Sequence, residues 1–183
     1  MNLQKRHLLI SVCLTLLCFG SSALCEWQPV KGRIMTKWAE DVSASNPLPE
    51  YPRPQLVRDQ WINLNGLWSY SMTASTANKS GDFSAKILVP YPIESALSGV
   101  RKIFTPKDKL WYSRHFKSPA NLNGKKVILH FGGVDYESKV WINGKEAGSH
   151  KGGYDAFSFD ITELLVEGEN EILVSVLWLD PVK

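Results

Sequence analysis

The chain has 183 residues, enough for one ordinary domain with an appendage and too few for two large ones. It is 44% hydrophobic and 21% charged, so it can build a core and is no disordered tail. Of its 21 basic residues, Lys5 and Arg6 precede the first acidic one, Glu26; without them 19 basic residues face 18 acidic ones. A balance of +1 with no basic cluster argues against nucleic acid or an anionic membrane as the main partner.

The amino terminus has the pattern of a secretory signal: Lys5, Arg6 and His7, an apolar run from Leu8 to Phe19, then small residues through Gly20, Ser21, Ser22 and Ala23. The apolar run is too short to cross a bilayer as a helix, so residues 1–25 are expected to be removed on export, after Ala23 or Cys25, and no membrane span is expected. The expected location is secreted or periplasmic. All three cysteines, Cys13, Cys18 and Cys25, lie in or beside this segment. The exported protein would then have no internal disulfide and would rely on burial for its stability.

Residues 26–60 read as a lead-in. Pro47, Pro49, Pro52 and Pro54 fall within eight residues, and proline removes backbone donors and favours extended chain. The segment should lie over the domain surface without joining a sheet, with Trp38, Leu48, Tyr51 and Leu56 packing it down.

From Trp61 onward short runs of strand character alternate with turn residues. Leu67–Met72 alternates aromatic and polar residues; Lys86–Val89 is apolar and ends at Pro90; Leu110–Phe116 carries Trp111, Tyr112 and Phe116. Val127, Leu129 and Phe131 form one face of a strand, and Val140-Trp141-Ile142 runs into Asn143-Gly144, the strongest short hairpin signal, since both turn residues need positive φ. Phe157–Ile161 alternates, as do Ile172, Val174, Val176 and Trp178 with Leu173, Ser175 and Leu177. Thr162–Val166 allows one helical turn at most. Strands at this spacing predict an all-β sandwich or barrel.

Chemistry is sparse. Asp135 and Glu137, two apart on an extended run, would project from one face and could approach the separation of a retaining glycosidase's carboxyl pair, but nothing beside them shields a proton. His115, His130 and His150 are scattered, and nucleophile elbows, phosphate loops and dinucleotide fingerprints are absent. No cofactor and no metal is expected. Aromatic side chains remain: Trp61, Trp68, Trp111, Trp141 and Trp178 all lie near strands, where they serve a core or stack on sugar rings.

Ordered motifs then narrow the reading. Val89-Pro90-Tyr91-Pro92-Ile93-Glu94-Ser95, Leu97-Ser98-Gly99-Val100, Leu110-Trp111-Tyr112-Ser113-Arg114, His130-Phe131-Gly132-Gly133-Val134-Asp135-Tyr136, Val140-Trp141-Ile142-Asn143-Gly144-Lys145, Gly152-Gly153-Tyr154-Asp155-Ala156-Phe157 and Gly168-Glu169-Asn170 resemble the sugar-binding domain of glycoside hydrolase family 2. The resemblance runs from Met35 to Pro181 and implies a jelly-roll β-sandwich like galactose-binding domains, here over residues 61–183. In that family the domain precedes an immunoglobulin-like domain and a (β/α)₈ barrel that carries both catalytic glutamates of a retaining mechanism. No catalytic residue is therefore expected in this chain. Family members add a closing strand after the one resembling Glu171–Trp178, and the chain stops just past Leu179-Asp180-Pro181, so that strand is expected to be missing. The resemblance implies a carbohydrate partner, a β-glycoside, with Glu94, Ser95 and Asp180 as its contacts. Two alternatives stand beside a β-galactosidase-like enzyme fragment: a free-standing secreted carbohydrate-binding module, and a structural or assembly domain.

Overall fold

A computed structural model describes residues 27–178, apart from 33, 53, 79, 120, 121 and 123. The expected signal, Asp180 and the place of the expected closing strand lie outside the described residues. Eight strands appear in chain order: β1 Gly66–Ala74, β2 Ala85–Val89, β3 Asp108–Lys117, β4 Ile128–Phe131, β5 Glu137–Ile142, β6 Lys145–Lys151, β7 Phe157–Asp160 and β8 Glu169–Leu177. Short 3₁₀ turns are the only helical structure among the described residues, and one of them, Thr162–Leu164, accounts for the hint of helix after β7. Among the described residues no helix is long and apolar enough to cross a membrane.

Six strands form one antiparallel sheet in the order β2-β1-β3-β8-β5-β6, and β4 pairs with β7 in a second. The pairs β3 with β8, β4 with β7 and β5 with β6 nest inside one another, as they do when a long hairpin is rolled up. That nesting is the jelly-roll arrangement. The innermost pair turns at Asn143 and Gly144, whose φ values of 51° and 77° are those a tight hairpin demands.

Alternation decides what each strand buries. Trp68 and Tyr70 of β1, Ile87 of β2, Leu110 of β3, Val140 and Ile142 of β5, and Ile172, Val174 and Val176 of β8 face the second sheet and are almost fully buried. Leu129, Phe131 and Phe159 cover them from β4 and β7, with Ile93, Phe104 and Ile161 closing the sides. Phe159 lies directly on the bare Cα of Gly148, where a Cβ would come within 2.3 Å of the ring. A glycine in β6 thus lets the two sheets approach, beside the register shift at Val140 and Trp141.

The opposite face of the large sheet supplies its own cover. Trp111 of β3 and Trp141 of β5 stack with centroids 5.9 Å apart across the intervening strand, β8. They meet because Ser175, the β8 residue that pairs with Trp111, is small; it is itself buried. Trp111 Nε1 donates to Thr73 Oγ1 at 3.0 Å, so burial leaves no indole N–H unpaired there. Of the other tryptophans near strands, Trp68 is core, whereas Trp61 and Trp178 are about two-fifths exposed, at 41% and 39%.

The lead-in joins no sheet, in keeping with its prolines, but its anchors differ from those expected. Trp38, Leu48 and Leu56 are exposed. The buried residues are the small ones, Ala39 and Pro47, and Tyr51 packs edge-on against Trp61 at 4.8 Å. Polar bonds fix the rest: Val30 N–H donates to Ala96 O at 3.0 Å and Asn63 Nδ2 to Leu48 O at 3.2 Å, and just past the lead-in Arg114 Nη1 donates to the carbonyls of Leu64 and Asn65 at 2.8 and 3.0 Å. A strip rich in proline cannot present a regular apolar face, so compact side chains and carbonyls hold it down.

Gly148→Ala is expected to force Phe159 off the Cα and lower stability by about 2 kcal/mol, the usual scale of overpacking, read as a fall in the denaturant midpoint with the slope unchanged.

Candidate functional site

The segment after β2 is built as a rigid loop. Tyr91 N–H donates to Leu88 O at 3.1 Å as the strand ends, and Ile93 drops its side chain into the core. Ser95 then caps a single 3₁₀ turn, Ala96–Ser98, its hydroxyl accepting from Leu97 N–H at 3.2 Å. The fully buried Ser98 hydroxyl donates to Ser95 O at 2.7 Å and accepts from Val100 N–H at 3.0 Å, and Lys102 N–H reaches Ile93 O at 3.1 Å. Gly99 closes the turn at φ 79°, and the Trp27 indole packs so tightly on it that a Cβ would sit 2.9 Å from the ring.

This scaffold presents Glu94 to solvent. Its carboxylate has no hydrogen-bond or ion-pair partner among the described residues. It lies close enough to Tyr112 to act on it: burial pushes the Tyr112 hydroxyl well above the ordinary phenol range, and the charge of Glu94 and then Tyr70 add to the rise. Tyr112 therefore stays a neutral donor and acceptor beneath a charged acceptor. Ser95, its neighbour, already spends its acceptor on the cap, which leaves its proton to donate. Asp180, the third expected contact, lies outside the described residues. Ser98 and Trp27, which hold the loop, were not singled out from the sequence, although Gly99 after Leu97-Ser98 is the signal of a turn closed in left-handed geometry.

The other candidates separate. Glu137 opens β5 and pairs with Lys151 on β6 at 3.1 Å, whereas Asp135 stands in the preceding loop against Gly153. One carboxyl is thus held by a lysine, and the two stand on different elements, one in the loop and one in β5. No group of three His, Cys, Asp or Glu side chains suited to a metal occurs among the described residues.

A broad depression of about 560 Å³ lies between the segment before β4 and the end of β7, lined by Lys125, Lys126, Glu146, Asp160, Thr162 and Glu163 among others. Its central charges are already satisfied. Lys126 Nζ donates to Asp160 at 2.8 Å, and Thr162 donates from its hydroxyl and its N–H at 2.6 and 3.1 Å. Those bonds lower the Asp160 carboxyl to about 2, the Lys126 bond contributing most.

Residues 51–182 match the family described as "Glycosyl hydrolases family 2, sugar binding domain". The chain belongs to that family. It is 50% identical over 118 residues to a β-glucuronidase of Bacteroides fragilis, covering 63% of this chain and 16% of that protein. It is also 50% identical over 66 residues to a β-galactosidase of Thermoanaerobacter pseudethanolicus, covering 36% of this chain and 9% of that one. Among solved structures, a β-glucuronidase of Faecalibacterium prausnitzii superposes with a TM-score of 0.54 at 29% identity, over 67% of this chain and 22% of its own length. The chain thus matches less than a quarter of the length of each of these proteins.

Ser95→Ala removes the cap and is expected to cost about 1 kcal/mol, a fall of about 2–4 °C in Tm for a domain of this size. Asp160 is held below its unfolded value, so its stabilising effect is complete above about pH 4 and disappears as pH falls toward about 2. The melting temperatures of the protein and Asp160→Asn should differ at pH 7 and converge across that acid window; a gap as large at pH 2 as at pH 7 would assign the difference to something other than this charge.

Proposed function

We propose that this chain frames the sugar for a retaining β-glycosidase, most like a β-galactosidase. In this reading the acid/base and nucleophile glutamates belong to a (β/α)₈ barrel that follows an immunoglobulin-like domain, both outside this sequence. The observation that carries it is Glu94: an exposed carboxylate, unpartnered among the described residues, on a loop whose backbone is tied down through Ser95, Ser98 and Lys102. A carboxylate accepts paired sugar hydroxyls, and a preformed support means that little ordering cost opposes binding. Ser95 donates beside it, and Asp180 supplies a second carboxylate after β8.

The same reading divides the sequence into an export signal over 1–25, a lead-in over 26–60 and the sugar-binding domain over 61–183. It places the protein outside the cytoplasm, secreted or periplasmic, on the strength of Lys5 and Arg6 ahead of the run from Leu8 to Phe19.

Sequencing the gene past the Lys183 codon tests the assignment: a reading frame that continues into barrel sequence is expected, and an immediate stop would overturn it. In the longer product, Glu94→Gln should raise KM for an aryl β-galactoside by about tenfold or more with a smaller change in kcat, as loss of a charged hydrogen bond to bound substrate requires. The 183-residue chain alone should leave the same substrate uncut.

A further inference from the structure

At the end of the sandwich where β8 runs out, two loops meet. Gly152 N–H in the β6–β7 loop donates to Tyr136 O in the β4–β5 loop at 2.9 Å, and Tyr136 N–H donates to Leu177 O at 3.2 Å. On this base Tyr154 is 100% exposed, a whole aromatic ring held clear of the protein by a loop fixed at its root.

Carboxylates flank the ring's support. Gly152 and Gly153 have no side chains, and the space is used: a Cβ on Gly153 would meet Asp135 Oδ1 at 2.8 Å, and one on Gly152 would lie 3.5 Å from Asp155 Oδ2 and 3.3 Å from His150 Nε2. Neither Asp135 nor Asp155 has a hydrogen-bond or ion-pair partner among the described residues, and the adjacent cation, Lys151, is engaged by Glu137. Below them His150 stacks on Phe157 at 4.1 Å with its Nε2 buried and unpartnered, and Ser138 Oγ, on the residue paired with His150 across β5 and β6, is buried and unpartnered too. Buried polar atoms in folded proteins are nearly always satisfied, so two unpartnered ones beneath this loop set the region apart.

We infer that Tyr154, Asp135 and Asp155 form a second carbohydrate-binding ledge, apart from the Glu94 loop, selective for neutral pyranosides over uronates. The exposed face of Tyr154 stacks on the apolar C–H face of a sugar ring. Asp135 and Asp155 accept its hydroxyl hydrogens on either side of the glycine pair. The same two charges, with the neighbouring Lys151 engaged by Glu137, repel a sugar carboxylate; at about 5 Å in water this amounts to roughly a tenfold preference at low ionic strength, screened as salt rises. The ledge rests on the reading of this domain as one that frames sugars, but it uses different residues.

The test is titration of the purified chain with methyl β-D-galactopyranoside and with methyl β-D-glucopyranosiduronate, followed by saturation-transfer NMR. A Kd on the order of millimolar is expected for the galactoside, as befits a single small ring. The uronate should bind about tenfold more weakly in 10 mM salt, with the gap closing in 0.5 M salt and in Asp135→Asn/Asp155→Asn. Tyr154→Ala, a change at a fully exposed position checked by an unaltered melt, should weaken galactoside binding at least fivefold. Equal binding of the two sugars at low salt, unchanged affinity in Tyr154→Ala, or no binding by the unaltered chain would overturn the ledge. Binding lost in Glu94→Gln and retained in Tyr154→Ala would also overturn it while leaving the framing role of the Glu94 loop intact.

Discussion

Two asparagine side chains hold the sandwich's centre to its connections. Asn170, buried at the start of β8, accepts at Oδ1 from Asn143 Nδ2 at 2.7 Å and from Val166 N–H at 2.8 Å, and donates from Nδ2 to Val166 O and Gly168 O at 3.0 and 3.1 Å. Asn143 completes the exchange, accepting from Glu171 N–H at 2.9 Å and donating to Leu164 O at 2.9 Å. One amide pair therefore joins the β5–β6 hairpin, the connection after β7 and the strand between β3 and β5. Every polar atom in it is used, the condition under which a buried polar network rigidifies a fold instead of weakening it. The two motifs that carry these residues, the Asn143-Gly144 turn and Gly168-Glu169-Asn170, lie 27 residues apart and are halves of a single device.

Much of the architecture could be read from side-chain periodicity. Seven of the eight strands fall on apolar or alternating runs, and β6 is placed by the Asn143-Gly144 turn that precedes it. Pairing was not legible in the same way. That β8 lies between β3 and β5 depends on contacts between residues about 60 and about 30 positions apart, such as Ser113 with Leu173 and Trp141 with Leu173, and no local pattern encodes them. Ser175 shows why: as a residue it is unremarkable, and its small size matters only because two indoles from other strands meet above it.

The site was partly legible. Motif order pointed to the loop after β2, and the loop does present Glu94. What the sequence concealed was division of labour within the loop: Ser95 and Ser98 look alike, yet one caps a half-buried turn and the other is the buried pivot for the backbone of Ile93, Ser95, Val100 and Arg101. Large lead-in side chains misled for a related reason. Trp38, Leu48 and Leu56 suggested packing by their bulk, whereas a proline-rich strip is held by whatever fits beneath it, here Ala39 and Pro47.

The central position of β8 has a consequence for how the molecule comes into being. It is the last described strand to leave the ribosome, and it is the strip between the two halves of the large sheet. Until it arrives, β3 and β5 each show an open edge, and the tryptophans on their outer faces have nothing to stack across. At roughly 5–20 residues per second the interval is several seconds, long beside the microseconds of hairpin closure. Through that interval the nascent polypeptide carries adhesive margins on β3 and β5, and assembly of the large sheet waits on β8.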